Sequence, residues 1–229
     1  MFNWLEKKKG DGQSNIRDTL FGDMPLAEWA RQNQPDPGEP WSWFIKARRY
    51  LEAGDKHLAI EELKKVIEMP GLEARHYLQA WHFLRQLRVA PPDDKAKDVY
   101  GVVVEYTLTQ GGDIVAAYTD HTARYFNYSG IAIIWETSTD SLINTLIDDL
   151  LQAGQSIIHH LGSWKDVRPS APSRGNARVN MLTPSGLHFG QASLDVLAKD
   201  AIAGPIIAAA TRLMQSLIAR NVSKFQPPK

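Results

Sequence analysis

The chain has 229 residues, with 26 basic side chains against 26 acidic ones, 43% hydrophobic and 23% charged residues, and no cysteine. The charge balance leaves no basic excess for duplex nucleic acid, whose phosphates supply most of the affinity. The missing cysteines exclude disulfides, thiolate catalysis and thiolate zinc sites.

No apolar run reaches the roughly 18 residues that cross a bilayer, so a soluble, cytoplasmic protein is expected. The first stretch, MFNWLEKKKGDG, puts its apolar residues before its lysines, the reverse of a secretory signal. Phe2, Trp4 and Leu5 ahead of Lys7, Lys8 and Lys9 have the chemistry of a weak membrane-surface anchor. A frayed, solvated terminus is the competing reading. Residues 11–40 are rich in Gly, Pro, Asn, Asp and Gln and hold one short helical candidate, MPLAEWARQN, with Pro25 near its start. Residues 1–40 are therefore expected to be a flexible segment with one short helix.

From Trp41 apolar residues fall at helical spacing, and residues 41–98 read as a helical region. In WFIKARRYLEAGDKHLAIEELKKVIEMPG, residues 43–71, Ala47 and Ala59 let two helices approach closely. Gly54 and Asp55 turn the chain, and Tyr50 and Leu63 fill the space between the packed faces. With Trp43 and Pro70 added, the stretch resembles a tetratricopeptide repeat, departing from it at Lys46, at Val66 and in a proline one residue early. The resemblance covers about an eighth of the chain and implies a protein or peptide partner. A third helix, LEARHYLQAWHFLRQL, stops before APPDD, and DDKAKDVY is the expected other half of a degenerate second repeat. Two hairpins are fewer than a free-standing solenoid needs, so this region must dock on the rest of the chain.

Residues 99–229 read as an α+β domain. VYGVVVEYTL, IVAAYT, TARYFNY and IAIIWE are four short strands joined by the turns QGGD, DH and SG, an antiparallel meander. STDSLINTLIDDLLQAG is an amphipathic helix with Ser138 or Asp140 as N-cap and Gly154 as stop. A loop runs from Ser163 to Asn176, ARVNMLTPSGLHFGQ forms two strands about a Pro-Ser-Gly turn, and GPIIAAATRLMQSLIARN is a closing helix. The order predicts helices on one side of a mainly antiparallel sheet, with the tetratricopeptide-like hairpins packed on it. At the level of architecture this resembles profilin-like and longin-like folds, a likeness that carries no function.

His121, His159, His160, His188, Asp120 and Asp166 show no metal-ligand spacing, so no metal or cofactor is expected. Ser185, between Pro184 and Gly186 with His188 nearby, lacks the glycine spacing of a nucleophile elbow and reads as a turn residue. The loop SWKDVRPSAPSRGNAR sets Lys165, Arg168, Arg174 and Arg178 against Asp166 alone, a local basic excess beside Trp164 suited to a small anion. A solvated loop explains the same charges. In TARYFNY, alternation puts Arg124, Phe126 and Tyr128 on one face, a partner surface if exposed and core if covered. The preferred reading is a non-catalytic interaction or ligand-sensing module. The alternative is an anion-binding protein or hydrolase with a pocket between the sheet and loop 163–176, lined by Arg174, Arg178, His188 and Tyr125.

Overall fold

Val102, Val103 and Val104 are consecutive and all fully buried. A strand achieves that only when both faces of its sheet are covered, because successive side chains point to opposite sides. The structure, a computed structural model, describes residues 12–25, 38–108, 111–136 and 139–224. Phe2 and Trp4, residues 26–33 of MPLAEWARQN and the alternative cap Ser138 lie outside these. The three valines belong to β1 (Gly101–Leu108), an interior strand of a six-stranded antiparallel sheet ordered β4-β3-β2-β1-β5-β6. β2 (Gly111–Tyr118), β3 (Ala123–Phe126) and β4 (Ala132–Trp135) form the meander, and β5 (Asn176–Thr183) with β6 (Gly186–Ser193) forms the hairpin on the other side of β1.

Helices α5 (Ser141–Ile157), α6 (Leu194–Lys199) and α7 (Gly204–Lys224) cover the face that carries Val102, Val104, Val115, Val179 and Met181. Asp140 caps α5, its carboxylate accepting from the Leu142 amide at 3.1 Å and the Ile143 amide at 3.3 Å. Gly154 is not the stop that the sequence suggested. The helix continues to Ile157, and a Cβ on Gly154 would lie 2.8 Å from Val102 Cγ2 and 3.2 Å from Met181 Cγ. The glycine is there for close approach of helix to sheet.

The opposite face, carrying Val103, Ala116, Tyr118 and Leu182, is covered by α1 (Gly12–Phe21) and α4 (Ala74–Gln86) through Leu20, Phe21, Ala74 and Leu78. Helices therefore flank the sheet on both sides rather than one. α1 was not expected in its Gly- and Asn-rich stretch, and Met24 and Pro25, where a helix was expected to start, are not helical. Tyr118 donates its buried hydroxyl to the Leu20 carbonyl at 2.7 Å, tying α1 down. Asp120, in the β2–β3 turn, accepts from the Ala74 amide at 2.7 Å and from Thr122 at 2.9 Å, so a sheet carboxylate caps α4.

α2 (Trp41–Glu52) and α3 (Lys56–Glu68) form a hairpin on the outer side of α4. Ala47, Ala59 and Leu63 are fully buried within it, Gly54 has φ 80°, and Asp55 caps α3 at Leu58. DDKAKDVY forms turns after Pro91 and Pro92 and contributes no helix. Among the described residues no helix is long and apolar enough to cross a membrane.

The two sheet edges differ. Residues 161–164 lie against the first half of β6, with the Trp164 amide donating to the Leu187 carbonyl at 2.7 Å and its indole 5.2 Å from the Phe189 ring. No strand lies beyond β4 among the described residues, and Ile131 and Ile134 there are exposed.

A cluster of charges sits inside the sheet layer. Glu105 of β1, 2% exposed, accepts from Arg17 Nε at 2.7 Å, Asn180 Nδ2 at 3.2 Å and Arg178 Nη1 at 3.5 Å. Both guanidiniums also donate to the Pro169 carbonyl, and Arg178 reaches Ser170 at 2.9 Å, so this cluster straps α1 and the long loop to the sheet. Removing one member of a buried ion pair leaves the others uncompensated and costs about 3–5 kcal/mol. Glu105→Ala is expected to lower the unfolding free energy by that amount in urea titration; a loss below about 1 kcal/mol would contradict the role assigned to it. Gly154→Ala is expected to destabilise by about 1–3 kcal/mol, overpacking outweighing the helix propensity gained, and an unchanged urea midpoint would reject the close-approach account.

Candidate functional site

The basic loop does not present its charges outward as a set. Arg168 pairs with Asp18 and Asp23, its Nε 2.7 Å from Asp23 Oδ2, and lies 4.5 Å over the Phe21 ring. Arg178 is enclosed by Glu105 and by Gln191, whose Oε1 is 2.8 Å from its Nε. Lys165 and Arg174 are exposed, but the length of β5 separates Arg174 from the β5–β6 turn. Tyr125 faces the α7 side and donates to Asp113 Oδ2 at 2.9 Å, while Arg178 and Glu105 share the other face. The expected pocket lined jointly by Arg174, Arg178, His188 and Tyr125 is therefore not formed.

Arg124, Phe126 and Tyr128 do not share one exposed face either. Arg124 is buried, donating to the Ala123 carbonyl at 2.9 Å, the Trp135 carbonyl at 2.8 Å and Glu136 at 3.1 Å. Phe126 is half-buried, and Tyr128 stands exposed in the turn beyond the strand. His121, at φ 59° in the preceding turn, has Nε2 2.9 Å from Asp148. His159 and His160 lie exposed in a short 3-10 turn after α5.

What the fold does bring together lies at the other end of β5. Thr183 pairs with Gly186 across a two-residue turn, Pro184-Ser185, which the Ser185 amide anchors to the Ala96 carbonyl at 2.9 Å. From the last turn of α4, Arg85 donates to the Pro184 carbonyl at 2.6 Å. Its Nε lies 3.6 Å from where a Gly186 Cβ would stand, so the guanidinium roofs the turn. Arg88 follows at φ 65°, and the chain beyond it wraps a cavity of about 500 Å³. Arg85, Arg88 and Lys165 line it against Asp93 alone, with Val89, Pro91 and Trp164 as its apolar part and Ser185 in its wall.

Arg85 differs from the other enclosed arginines. Arg17, Arg75, Arg124, Arg168 and Arg178 each meet a carboxylate. Among the described residues Arg85 has no carboxylate within 4.0 Å, the Pro184 carbonyl being its hydrogen-bond partner. Burial pushes its pKa down to about 10, partly offset by Asp23, so it is cationic at neutral pH.

Beneath the turn His188, 1% exposed, has Nδ1 3.1 Å from the Leu161 carbonyl and Nε2 3.0 Å from Ser185 Oγ. A carbonyl only accepts, so Nδ1 carries the proton. Burial lowers the imidazole's pKa, and Lys97 and Lys165 lower it further, so the ring is neutral and Nε2 is an acceptor. Ser185 therefore donates to His188. Thr183 Oγ1, 2.9 Å from Ser185 Oγ, has the Gly186 carbonyl at 3.0 Å as its own acceptor.

Sequence reasoning singled out Ser185, His188, Lys165 and Trp164 but missed Arg85 and Arg88. Two arginines closing a helix are already explained by its dipole, so nothing in their spacing marks them. The partner of His188 is a backbone carbonyl, which carries no sequence signal. Neither a family model, nor a curated protein, nor a solved structure matches the chain.

Three enclosed histidines, His188 buried and His76 and His82 half-buried, set an expected pH response. Burial holds His82 down at about 4 and also lowers His76 and His188. Below about pH 6.5 the unfolded chain takes up protons that the folded chain resists, so their stabilisation is full above that value and falls as the pH drops toward 4. The urea midpoint is expected to be lower at about pH 5 than at about pH 7.5, with His82→Gln narrowing the difference. A midpoint that holds or rises at the lower pH rejects this assignment.

Proposed function

We propose that the protein is a ligand-sensing module whose groove beside the β5–β6 turn binds a small organic anion. The observation that carries this reading is Arg85, a half-buried cation without a carboxylate partner among the described residues, facing a cavity with two further cations. A half-buried charge without a contacting counter-charge is costly to keep out of water, and an anionic ligand supplies one. Trp164, Val89 and Pro91 favour a carboxylate or phosphate attached to an apolar or aromatic body. The α2–α3 hairpin supports a second reading, a protein or peptide partner, through its resemblance to the tetratricopeptide repeat. The anion reading has the stronger carrier, because among the described residues Arg85 has no carboxylate within 4.0 Å and only Asp23 acting from farther off, whereas the charged outer positions of α3, Lys56, Glu61 and Glu68, are already solvated.

Isothermal titration with phosphate- and carboxylate-bearing compounds and their neutral analogues tests it. The parent protein is expected to bind anionic members only, and Arg85→Ala or Arg88→Ala to weaken binding at least about tenfold, the loss of one charge-assisted hydrogen bond. Failure of the parent to bind any anion, or equal binding by Arg85→Ala, removes the proposal.

A further inference from the structure

We propose that Ser185 is a nucleophile, with His188 as its general base, in an esterase centre that opens into this groove and takes carboxylic esters bearing an anionic group. The substrate's charge rests on the anion reading above; the nucleophile does not.

Three features meet at the turn. The Ser185 Oγ to His188 Nε2 distance of 3.0 Å is within general-base reach, and the proton can run only from serine to histidine because the Leu161 carbonyl fixes the tautomer. Leu161 positions His188 as the third member of a Ser-His-acid triad does, by accepting from Nδ1–H, although a neutral carbonyl stabilises the resulting imidazolium less than a carboxylate. Ser185 sits in the groove wall on a turn that its own backbone amide fixes to the Ala96 carbonyl. Arg85 stands over Gly186 with one nitrogen on the Pro184 carbonyl, leaving its other N–H groups for an oxyanion formed beside Ser185. Gly186, at φ 119°, leaves that roof in contact with the backbone of the turn.

In the reaction, Ser185 Oγ forms a bond to the ester carbonyl carbon while its proton passes to His188 Nε2, and Arg85 meets the oxyanion. The carbon–alkoxy bond then breaks, and the leaving alkoxide takes the proton from His188. Water repeats the sequence on the acyl-serine, giving its proton to His188, which returns it to Ser185 Oγ. One ester and one water become one acid and one alcohol. Arg88 and Lys165 hold the substrate's anionic group.

A Ser–His link that served only to tether the turn to residue 161 would leave Ser185 as unreactive as an ordinary serine. Full-length protein treated with a fluorophosphonate and read by intact-mass and peptide-mapping spectrometry is therefore expected to gain a single adduct on Ser185. Ser185→Ala is expected to gain none, and His188→Gln to react about a hundredfold more slowly or less. Mono-4-nitrophenyl glutarate is expected to turn over at least about tenfold faster than 4-nitrophenyl butyrate, a preference that Arg88→Ala removes. No adduct on the parent protein, or an adduct that survives Ser185→Ala, overturns the proposal even where titration shows the groove binding anions. Labelling of Ser185 with equal turnover of the two esters overturns the anionic substrate, while the titration decides the anion reading on its own.

Discussion

The Glu105 carboxylate is the constraint on which the rest is arranged. It lies on an interior strand, under helices, where a lone charge is unsupportable, and it holds two guanidiniums from opposite parts of the chain. Arg17 brings α1 with it. Arg178 and Arg17 together reach the carbonyls of Pro169 and Ser170, which draws the long loop across the end of the sheet. That loop carries Leu161 to His188 and Trp164 with Lys165 to the lip of the groove. A residue that is not part of the groove lining thus anchors the far end of the loop that contributes Trp164 and Lys165 to it.

The periodic parts of this fold were legible in the sequence. Alternating β-branched and aromatic residues from 99 to 136 announced the meander, and the apolar stripe through Ile143, Leu146, Ile147 and Leu150 announced α5. Elements that depend on docking were not. α1 draws its stability from Leu20 and Phe21 against the sheet, contacts with residues about a hundred positions away. Gly154 carries the composition of a stop and the role of a spacer, and only the position of Val102 tells the two apart. The order of elements likewise does not state which face of the sheet a helix takes.

The site was half legible for the same reason. Ser185 and His188 are close in sequence and drew attention together, although the turn reading was preferred. The arginines of the loop were misleading because their neutralising partners, Asp18, Asp23 and Glu105, belong to other elements. The loop's own sequence overstates its basicity, while the end of α4 carries Arg85 and Arg88 into the groove against Asp93. The helical hairpin shows a further limit. Its internal packing follows from Ala47, Ala59 and Leu63, but it leads into α4 and then the sheet, with no second helical pair after it among the described residues.

The unequal edges of the sheet have a consequence for association. A sheet with two open edges can add copies of itself without end, whereas one sealed edge limits growth to a single event. Here Trp164 occupies the Leu187 carbonyl at the start of β6, whereas no strand lies beyond β4 among the described residues and Ile131 and Ile134 there are exposed. A second copy pairing there would set a partly covered β6 edge at each end of the joint sheet, so the segment that lines the groove would also restrain further strand addition.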